Sequence, residues 1–278
     1  MADSGNVKKW TVGVITAPRE QGYYLDRTLA SLNKAGWSDI NVFAEPGSSI
    51  PEGFGGHVIR RRKKYGDWTN WATALYELFL SEPDTDYYFM LEDDALLCSG
   101  ARAYLDYALP TLGPMASMSL YTPSKYHRPS RNRVFHNECR GKRTWSTVTV
   151  VMPHSSVLSF FSDPDVQRHR FFDIFEVKEG YWNNKASYGM GRTSVTDCVG
   201  NTIKDAVIGQ WAEKNKLPVY YHTPALAEHI GNFSTLTEDD ATPENGRMSK
   251  DFVGEDFDVS VWVGEEVSVR RSAVPLLA

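Results

Sequence analysis

The chain has 278 residues, of which 41% are hydrophobic and 23% are charged, as in an ordinary globular protein that can bury a sizeable core. Its formal net charge of −5 provides no bulk attraction to nucleic acid or to an anionic membrane. Cys98, Cys139 and Cys198 have no paired spacing, which argues against a disulfide framework and for a reducing compartment. Because no stretch approaches the ~20 apolar residues of a membrane span and residues 1–9 lack an apolar signal core, we expect a soluble cytoplasmic protein.

Residues 10–95 alternate between predicted strands and predicted helices. The β-branched run Trp10–Thr16 predicts a buried first strand, and an apolar stripe in residues 23–35 predicts a helix that Gly36 ends. Three strands and one helix follow: the strands are Ile40–Ala44, 57–61 and 86–91, and the helix is 68–80. Strands that alternate with helices predict a parallel α/β sheet with right-handed crossovers.

The remainder of the chain has a less regular pattern. Its predicted helices are 99–109, 153–162, 163–175 and 201–215, and its predicted strands are 117–121, 144–152 and 217–222. The polar and basic segment 122–143 is predicted as one long loop, a length that is often functional or mobile. Residues 233–278 show little periodicity and are predicted to form a loosely packed tail. No internal repeat or clear linker is present, so we predict a single domain.

Polar residues follow three of the predicted strands, in the segments 16–20, 45–47 and 92–94. In parallel α/β sheets, ligands bind outside the carboxyl ends of the strands, where these three segments would meet. Their polarity is what a nucleotide site requires. The sequence therefore predicts a nucleotide site at this edge of the sheet.

Three consecutive carboxylates, Glu92, Asp93 and Asp94, form the most acidic of these segments. Like charges a few ångströms apart repel one another, and a divalent cation relieves that repulsion. Oxygen ligands suit Mg²⁺ or Mn²⁺, which also bridge to phosphates. Alternation along the chain points Glu92 and Asp94 in one direction and Asp93 in another. The alternative interpretation is a surface acidic loop in which Asp94 caps the following segment.

This pattern resembles the GT-A fold glycosyltransferases, which carry an acidic D-x-D-type motif at the end of a central strand. The resemblance implies a Rossmann-like, mostly parallel sheet flanked by helices, with a smaller acceptor-side half. It also implies that Asp94 holds the metal while Glu92 or Asp93 faces the ribose and nucleotide. Helix-start residues 66–71 would carry donor contacts, because a helix N-terminus attracts phosphate. The other donor-binding residues that it implies are Thr16, Pro18, Arg19, Glu20, Glu45 and Asn70.

A second segment, residues 220–235, looks like the P-x-L-x-x-H-x-G-x-x-S stretch of several such glycosyltransferases. The matching residues are Pro224, Leu226, His229, Gly231 and Ser234. The resemblance implies that His229 is a late metal ligand or a diphosphate contact, and that Gly231 and Ser234 lie at the donor. Neutral imidazole can complete a metal shell, and imidazolium can face a phosphate. The alternative for a single histidine is a hydrogen-bonded core or surface residue.

A catalytic base is the third element that the resemblance implies. In inverting members a carboxylate lies at a helix start, roughly two dozen residues before that histidine, and Asp205 has this position. Many relatives have Glu-Asp here, whereas this chain has Lys204-Asp205. Asp197 is the second candidate for the base, and an ordinary helix-surface role is the alternative for Asp205.

Together these features predict an inverting glycosyltransferase of the hexosyltransferase class that depends on Mn²⁺ or Mg²⁺ and uses a nucleotide-diphosphate sugar, with a UDP-sugar favoured. We expect residues 10–98 to bind the donor, residues 99–235 to bind the acceptor and carry the base, and residues 236–278 to form the tail. Arg19, Lys63 or Lys64 would add positive charge near the diphosphate. The acceptor stays open among a saccharide, a small molecule, a protein and a modified nucleic acid. Nucleotidyl transfer and a non-catalytic nucleotide- or carbohydrate-binding module are the alternatives.

Overall fold

The protein is built around a nine-stranded sheet flanked by helices, and the computed structural model describes residues 8–19, 22–128, 130, 133–137, 144, 147–167, 204–231 and 248–270. The strands are β1 (Trp10–Thr16), β2 (Ile40–Ala44), β3 (His57–Arg60), β4 (Tyr87–Glu92), β5 (Ala95–Leu97), β6 (Ser117–Ser119), β7 (Val134–Asn137), β8 (Thr149–Pro153), β9 (Val219–Thr223), β10 (Ala227–His229) and β11 (Ser268–Arg270). The helices are α1 (Leu25–Ala35), α2 (Asp67–Ser81), α3 (Ala101–Ala108), α4 (His154–Ser162), α5 (Pro164–Gln167) and α6 (Lys204–Lys214).

The large sheet is mixed but mostly parallel. Its strand order is β11-β7-β9-β6-β8-β4-β1-β2-β3, and five of its eight neighbouring pairs are parallel. β5 and β10 form a separate antiparallel pair beside it. The predicted α/β fold with a mostly parallel central sheet and flanking helices is therefore confirmed. None of the helices in the described ranges is long and apolar enough to cross a membrane.

Each face of the sheet has its own hydrophobic core, because side chains alternate between faces along a strand. On β4, Phe89 and Leu91 pack in the core that contains α1 and α3, whereas Tyr88 and Met90 pack in the core that contains α2, α4 and α6. Helices thus cover both faces, as a parallel sheet requires. The sheet is a rigid frame on which the strand ends hold their polar residues.

Local sequence patterns predict the first half of the fold closely. Trp10–Thr16 and Ile40–Ala44 have the same bounds in the structure as in the prediction. Helix α1 ends at Gly36, whose φ of 106° is the left-handed conformation that glycine adopts easily. β3 forms where a strand was predicted and lies at the edge of the sheet. The ends of these strands are therefore positioned as the sequence indicates.

Two segments of the second half differ from the prediction. Within the predicted loop 122–143, Val134 and Phe135 are buried and belong to β7, which pairs with β9. Among basic neighbours, this apolar run is too short to be recognised as a strand from the sequence. Within the predicted tail, the described residues 248–270 are mostly half-buried or exposed, but two of their contacts were not predicted. Val259 is fully buried in the core, and β11 pairs with β7 to extend the sheet. Both segments are ordered by long-range partners rather than by their own periodicity.

His222, on β9, is a fully buried histidine that the fold holds in its neutral form. Its Nδ1 lies 2.6 Å from the carbonyl oxygen of Pro224, and its Nε2 lies 2.8 Å from the hydroxyl of Tyr104. One neutral tautomer satisfies both contacts, with Nδ1–H donating and Nε2 accepting. Burial lowers the pKa of His222 to about 3, and the positive charges of His136 and Arg133 act in the same direction.

We expect this histidine to destabilise the fold as the pH falls. Below the unfolded pKa of about 6.5, the unfolded chain binds a proton at His222 that the folded chain does not. The free energy of unfolding should therefore fall by about 1.4 kcal/mol per pH unit between roughly pH 6.5 and 3 from this group alone. Urea unfolding at several pH values measures the slope, and His222→Gln should flatten it. An equal slope in the variant and the wild type would contradict the assignment.

Candidate functional site

The carboxyl ends of β1, β2 and β4 meet at one edge of the sheet, where the sequence predicted a site. β1 lies between its two parallel neighbours, with Ile15 opposite Glu92 and Thr16 opposite Ala44. The amide N–H of Glu45 donates to the carbonyl oxygen of Thr16, at 2.9 Å. The segments that follow these three strands are therefore neighbours in space.

Glu92, Asp94 and His229 form a compact group at this edge, in which one ligand atom from each lies within 4.8 Å of the others. His229 Nε2 lies 3.2 Å from Asp94 Oδ2. The antiparallel pairing of β10 with β5 brings His229 here, opposite Ala95. Ile230 N–H donates to the carbonyl oxygen of Asp94, at 2.9 Å, and extends that pairing to the acidic triplet. The structure thus brings together the two residues that were predicted as metal ligands.

This group has the donor chemistry of a divalent-cation site. Two carboxylates and an imidazole suit Mn²⁺, and carboxylates suit Mg²⁺. Asp94 is 3% exposed, and among the described residues nothing hydrogen-bonds to its buried Oδ1. Burial by itself would raise the pKa of Asp94, but His229 and Arg19 lower it below its ordinary value, so the carboxylate is ionised. The residues therefore fit a divalent cation, with Asp94, His229 and Glu92 as its ligands.

Gly231 leaves space for this group because it has no side chain. A Cβ at this position would lie 2.1 Å from Asp94 Oδ2 and 3.1 Å from His229 Nε2. The first of these separations is below any real Cβ contact, so the carboxylate would have to move. The collision with Asp94 therefore explains why a glycine occupies this position of the P-x-L-x-x-H-x-G segment in this chain.

Gly231→Ala is expected to weaken Mn²⁺ binding by at least about tenfold, on the scale known for changes in residues that support metal ligands. The added methyl displaces Asp94 from His229, whereas the hydrophobic cores stay intact. Titration calorimetry with Mn²⁺ measures the effect. Gly55→Ala is the matched control, because a Cβ at Gly55 has nothing within 4 Å. Unchanged Mn²⁺ affinity in Gly231→Ala would contradict the cation site.

Asp93 is not part of this group and is bound by Thr16, which ends β1, and by Arg19, which follows it. Its Oδ2 accepts from the Thr16 hydroxyl at 2.5 Å, and its Oδ1 accepts from Arg19 at 2.5 Å. Arg19 also donates to Asp94 Oδ2, at 2.8 Å. Burial opposes the charge of Arg19, but the charges of Asp94 and Asp93 outweigh it and raise the pKa of its guanidinium. Thr16 and Arg19, which were predicted to contact the donor, thus bind the triplet itself.

Other residues predicted at the donor have different positions. Pro18 is exposed beside Gly47 at the same edge. The Glu45 carboxylate accepts from the N–H groups of Tyr65, at 2.9 Å, and Gly66, at 2.8 Å, so it orients the loop that leads into α2. Direct donor contact by Pro18 and Glu45 stays a prediction.

Asn70 is buried inside the protein. Its Oδ1 accepts from Arg61 Nε at 2.8 Å, and its Nδ2 donates to the carbonyl oxygen of Phe43 at 3.2 Å. These two bonds tie α2 to the ends of β2 and β3. The structure therefore assigns Asn70 to the frame of the site, and its predicted contact with a donor stays untested.

Asp205 lies near the site at the start of α6, next to Lys204, which binds Glu92. Its two carboxylate oxygens accept from the hydroxyls of Thr144, at 3.0 Å, and Thr147, at 3.3 Å. Thr147 shortly precedes β8, whose first residue pairs with Leu91 at the carboxyl end of β4. Asp205 thus lies at the edge of the sheet that carries Glu92, and its role as a base stays a prediction. The other predicted residues Asp197, Glu20 and Ser234 lie outside the described residues.

Lys204 is a functional candidate that the sequence reasoning did not assign. Its Nζ lies 2.5 Å from Asp67 Oδ1 and 2.7 Å from Glu92 Oε1, and its side chain is 3% exposed. The feature of the sequence that could have indicated Lys204 is the Lys204-Asp205 pair, where many members of the family that the chain resembles have Glu-Asp. A lysine next to the predicted base implied a new partner for its charge, which only the structure could identify.

Formal charges at this edge do not balance within the described residues. The four carboxylates of Asp67, Glu92, Asp93 and Asp94 face the two cations of Arg19 and Lys204. This leaves one negative charge when His229 is protonated and two when it is neutral, the form in which it could bind a metal. One divalent cation would neutralise them.

Comparisons with known proteins identify no family for this chain. No family model matches it, and no curated protein matches it. A solved structure with some likeness is a cytidylyltransferase from Leptospira borgpetersenii, at 12% identity and a TM-score of 0.36. The match covers 56% of this chain and 64% of that chain, which is less than two thirds of the cytidylyltransferase. A likeness at this level carries no argument about activity, so the function must be argued from the site.

Proposed function

We propose that this protein is a GT-A type glycosyltransferase that moves a sugar from a nucleotide-diphosphate sugar to an acceptor hydroxyl. The observation that carries the proposal is the group formed by Glu92, Asp94 and His229 at the carboxyl ends of parallel strands. His229 lies 135 positions after Asp94 in the chain, yet the ligand atoms of all three residues converge within 4.8 Å. An acidic loop without a ligand would not require this convergence or a glycine beside it.

Asp94 and His229, with Glu92, would hold a divalent cation that supplies positive charge to the diphosphate as it leaves. The donor would lie along the edge formed by the ends of β1 and β2, with its nucleotide on the side of Pro18 and Glu45. Lys63 and Lys64 are exposed after β3, whose parallel pairing with β2 directs it to the same edge, so their charges favour the diphosphate. A UDP-sugar is the donor that we favour.

Asp205 would act as the base of an inverting reaction. Its carboxylate takes the proton from the acceptor hydroxyl as that oxygen attacks the anomeric carbon. The bond between the anomeric carbon and the diphosphate breaks, and the electron pair leaves with the nucleoside diphosphate. The hydroxyls of Thr144 and Thr147 hold the carboxylate in a defined orientation for this step.

Calorimetry with UDP, GDP and CDP, each with and without Mn²⁺, tests the donor site when it is paired with a nucleotide-sugar hydrolysis assay. Tight binding of one nucleotide that requires Mn²⁺, together with turnover of its sugar derivative, would support the proposal. Nucleotide binding without turnover of any nucleotide sugar would favour a binding module. Release of pyrophosphate from a nucleoside triphosphate and a sugar phosphate would favour nucleotidyl transfer instead.

A further inference from the structure

Lys204 is a buried cation that joins two elements at the edge of the cation site. It is the first residue of α6, and its Nζ lies between Asp67, the first residue of α2, and Glu92, the last residue of β4. Glu92 is also one of the three residues that could hold a cation. One oxygen of that carboxylate, Oε1, is thus the acceptor of a lysine at 2.7 Å.

The environment keeps this lysine charged. Burial by itself would lower the pKa of Lys204, but the charges of Asp67 and Glu92 outweigh it and raise that pKa above its ordinary value. Asp67 binds the same Nζ at 2.5 Å, so the lysine connects Asp67 to Glu92. Asp67, Lys204 and the proposed cation ligands therefore form one electrostatic unit.

We infer that Lys204 is a positioning residue, and that the Asp67–Lys204 ion pair sets the affinity of the cation site through Glu92. The lysine orients the Glu92 carboxylate and neutralises part of its charge, so it lowers the affinity of the site for a cation. Asp67 in turn neutralises part of the charge of the lysine, so it raises that affinity. The inference rests on the proposed function only in requiring a cation at Asp94 and His229, and it does not require sugar transfer.

Two substitutions should therefore shift Mn²⁺ affinity in opposite directions. Lys204→Met removes a positive charge beside Glu92 and should tighten Mn²⁺ binding by about tenfold, whereas Asp67→Asn removes a negative charge and should weaken it by about tenfold. This is the scale of one unit charge about 6 Å from a divalent cation at the dielectric constant of water, about 80. Lys204→Arg keeps the charge and should shift the affinity less than Lys204→Met. A purely structural role would weaken binding in every variant.

The experiment is titration of each folded variant with Mn²⁺ alone, at fixed ionic strength, after circular dichroism has confirmed the fold. Asp256→Asn is the matched control for net charge, because Asp256 is 85% exposed and pairs with Lys34. Opposite shifts in Lys204→Met and Asp67→Asn, with none in the control, support the inference. If Lys204→Met does not fold, Asp67→Asn and the charge-conserving Asp67→Glu decide: weakening in Asp67→Asn alone supports the inference, and equal weakening in both variants, or none, overturns it.

Failure of this inference can be told apart from failure of the proposed function. Shifts in the same direction, or no shift, in a protein that transfers sugar would overturn the role of Lys204 and leave the function standing. Opposite shifts in a protein that transfers no sugar would support the role of Lys204 and contradict the function. A wild-type protein that binds no Mn²⁺ would overturn the inference.

Discussion

Asparagine in place of Asp94 is expected to reduce sugar transfer by about 10³-fold or more, because the cation's charge at a leaving diphosphate is worth several kcal/mol. Asp94 is the most enclosed of the proposed ligands, and it accepts from Arg19 and contacts His229. The substitution keeps the shape of the side chain and removes its charge. Mn²⁺ binding should be lost together with transfer, while the hydrophobic cores of the sheet are unchanged.

Calorimetry with Mn²⁺ and a transfer assay, run on the same preparations, test this expectation. Asp165→Asn is the control, because Asp165 is 55% exposed and pairs with Lys214. It should bind Mn²⁺ and transfer sugar as the wild type does. Wild-type turnover in excess EDTA would refute the dependence on a divalent cation, and transfer by Asp94→Asn within tenfold of the wild type would refute the role of Asp94.

Asp205→Asn should lower kcat by roughly 10²- to 10⁴-fold, the range that a positioned general base contributes. The asparagine oxygen can still accept from one of the threonine hydroxyls that bind Asp205, so the start of α6 should keep its position. Mn²⁺ affinity and the KM for the donor should stay near the wild-type values, since Asp205 is not among the proposed cation ligands. A selective loss of kcat is the signature of a base.

Steady-state kinetics with a saturating donor, and determination of the product anomer, check this assignment. Inversion of the anomeric configuration is expected for the wild type. A near-normal kcat in Asp205→Asn would show that the base lies elsewhere, and Asp197 would be the next carboxylate to replace. A parallel loss of Mn²⁺ binding would indicate instead that the substitution disturbs Lys204, the neighbouring residue that binds Glu92.

Much of the parallel half of the fold could be predicted from the sequence because its signals are local. The β-branched run of β1, the stripe of α1 with Gly36 after it, and the aromatic strand before Glu92 each identify an element within about fifteen residues. A parallel sheet then places its strand ends at one edge, which predicted where the acidic triplet would lie. The proximity of Asp94 and His229 also followed, although only from the resemblance to a family.

The features that the sequence did not indicate depend on partners far along the chain. β7 and β11 are short and irregular in pattern, and they form because the edge of the sheet offers them a partner. Asn70 has the position of a donor contact in the sequence, but Arg61 and Phe43 satisfy its amide in the structure. No local pattern distinguishes a polar residue that faces a ligand from one that satisfies the backbone of a neighbouring strand.

The sequence by itself determined the alternating elements, the acidic edge of the sheet and the candidates Asp94, His229 and Asp205. Only the tertiary structure decided how charge is distributed among them: Arg19 joins Asp93 to Asp94, and Lys204 joins Asp67 to Glu92. The physical reason is that secondary structure follows from the spacing of apolar residues, whereas the partner of a buried charge depends on distances of a few ångströms between distant parts of the chain.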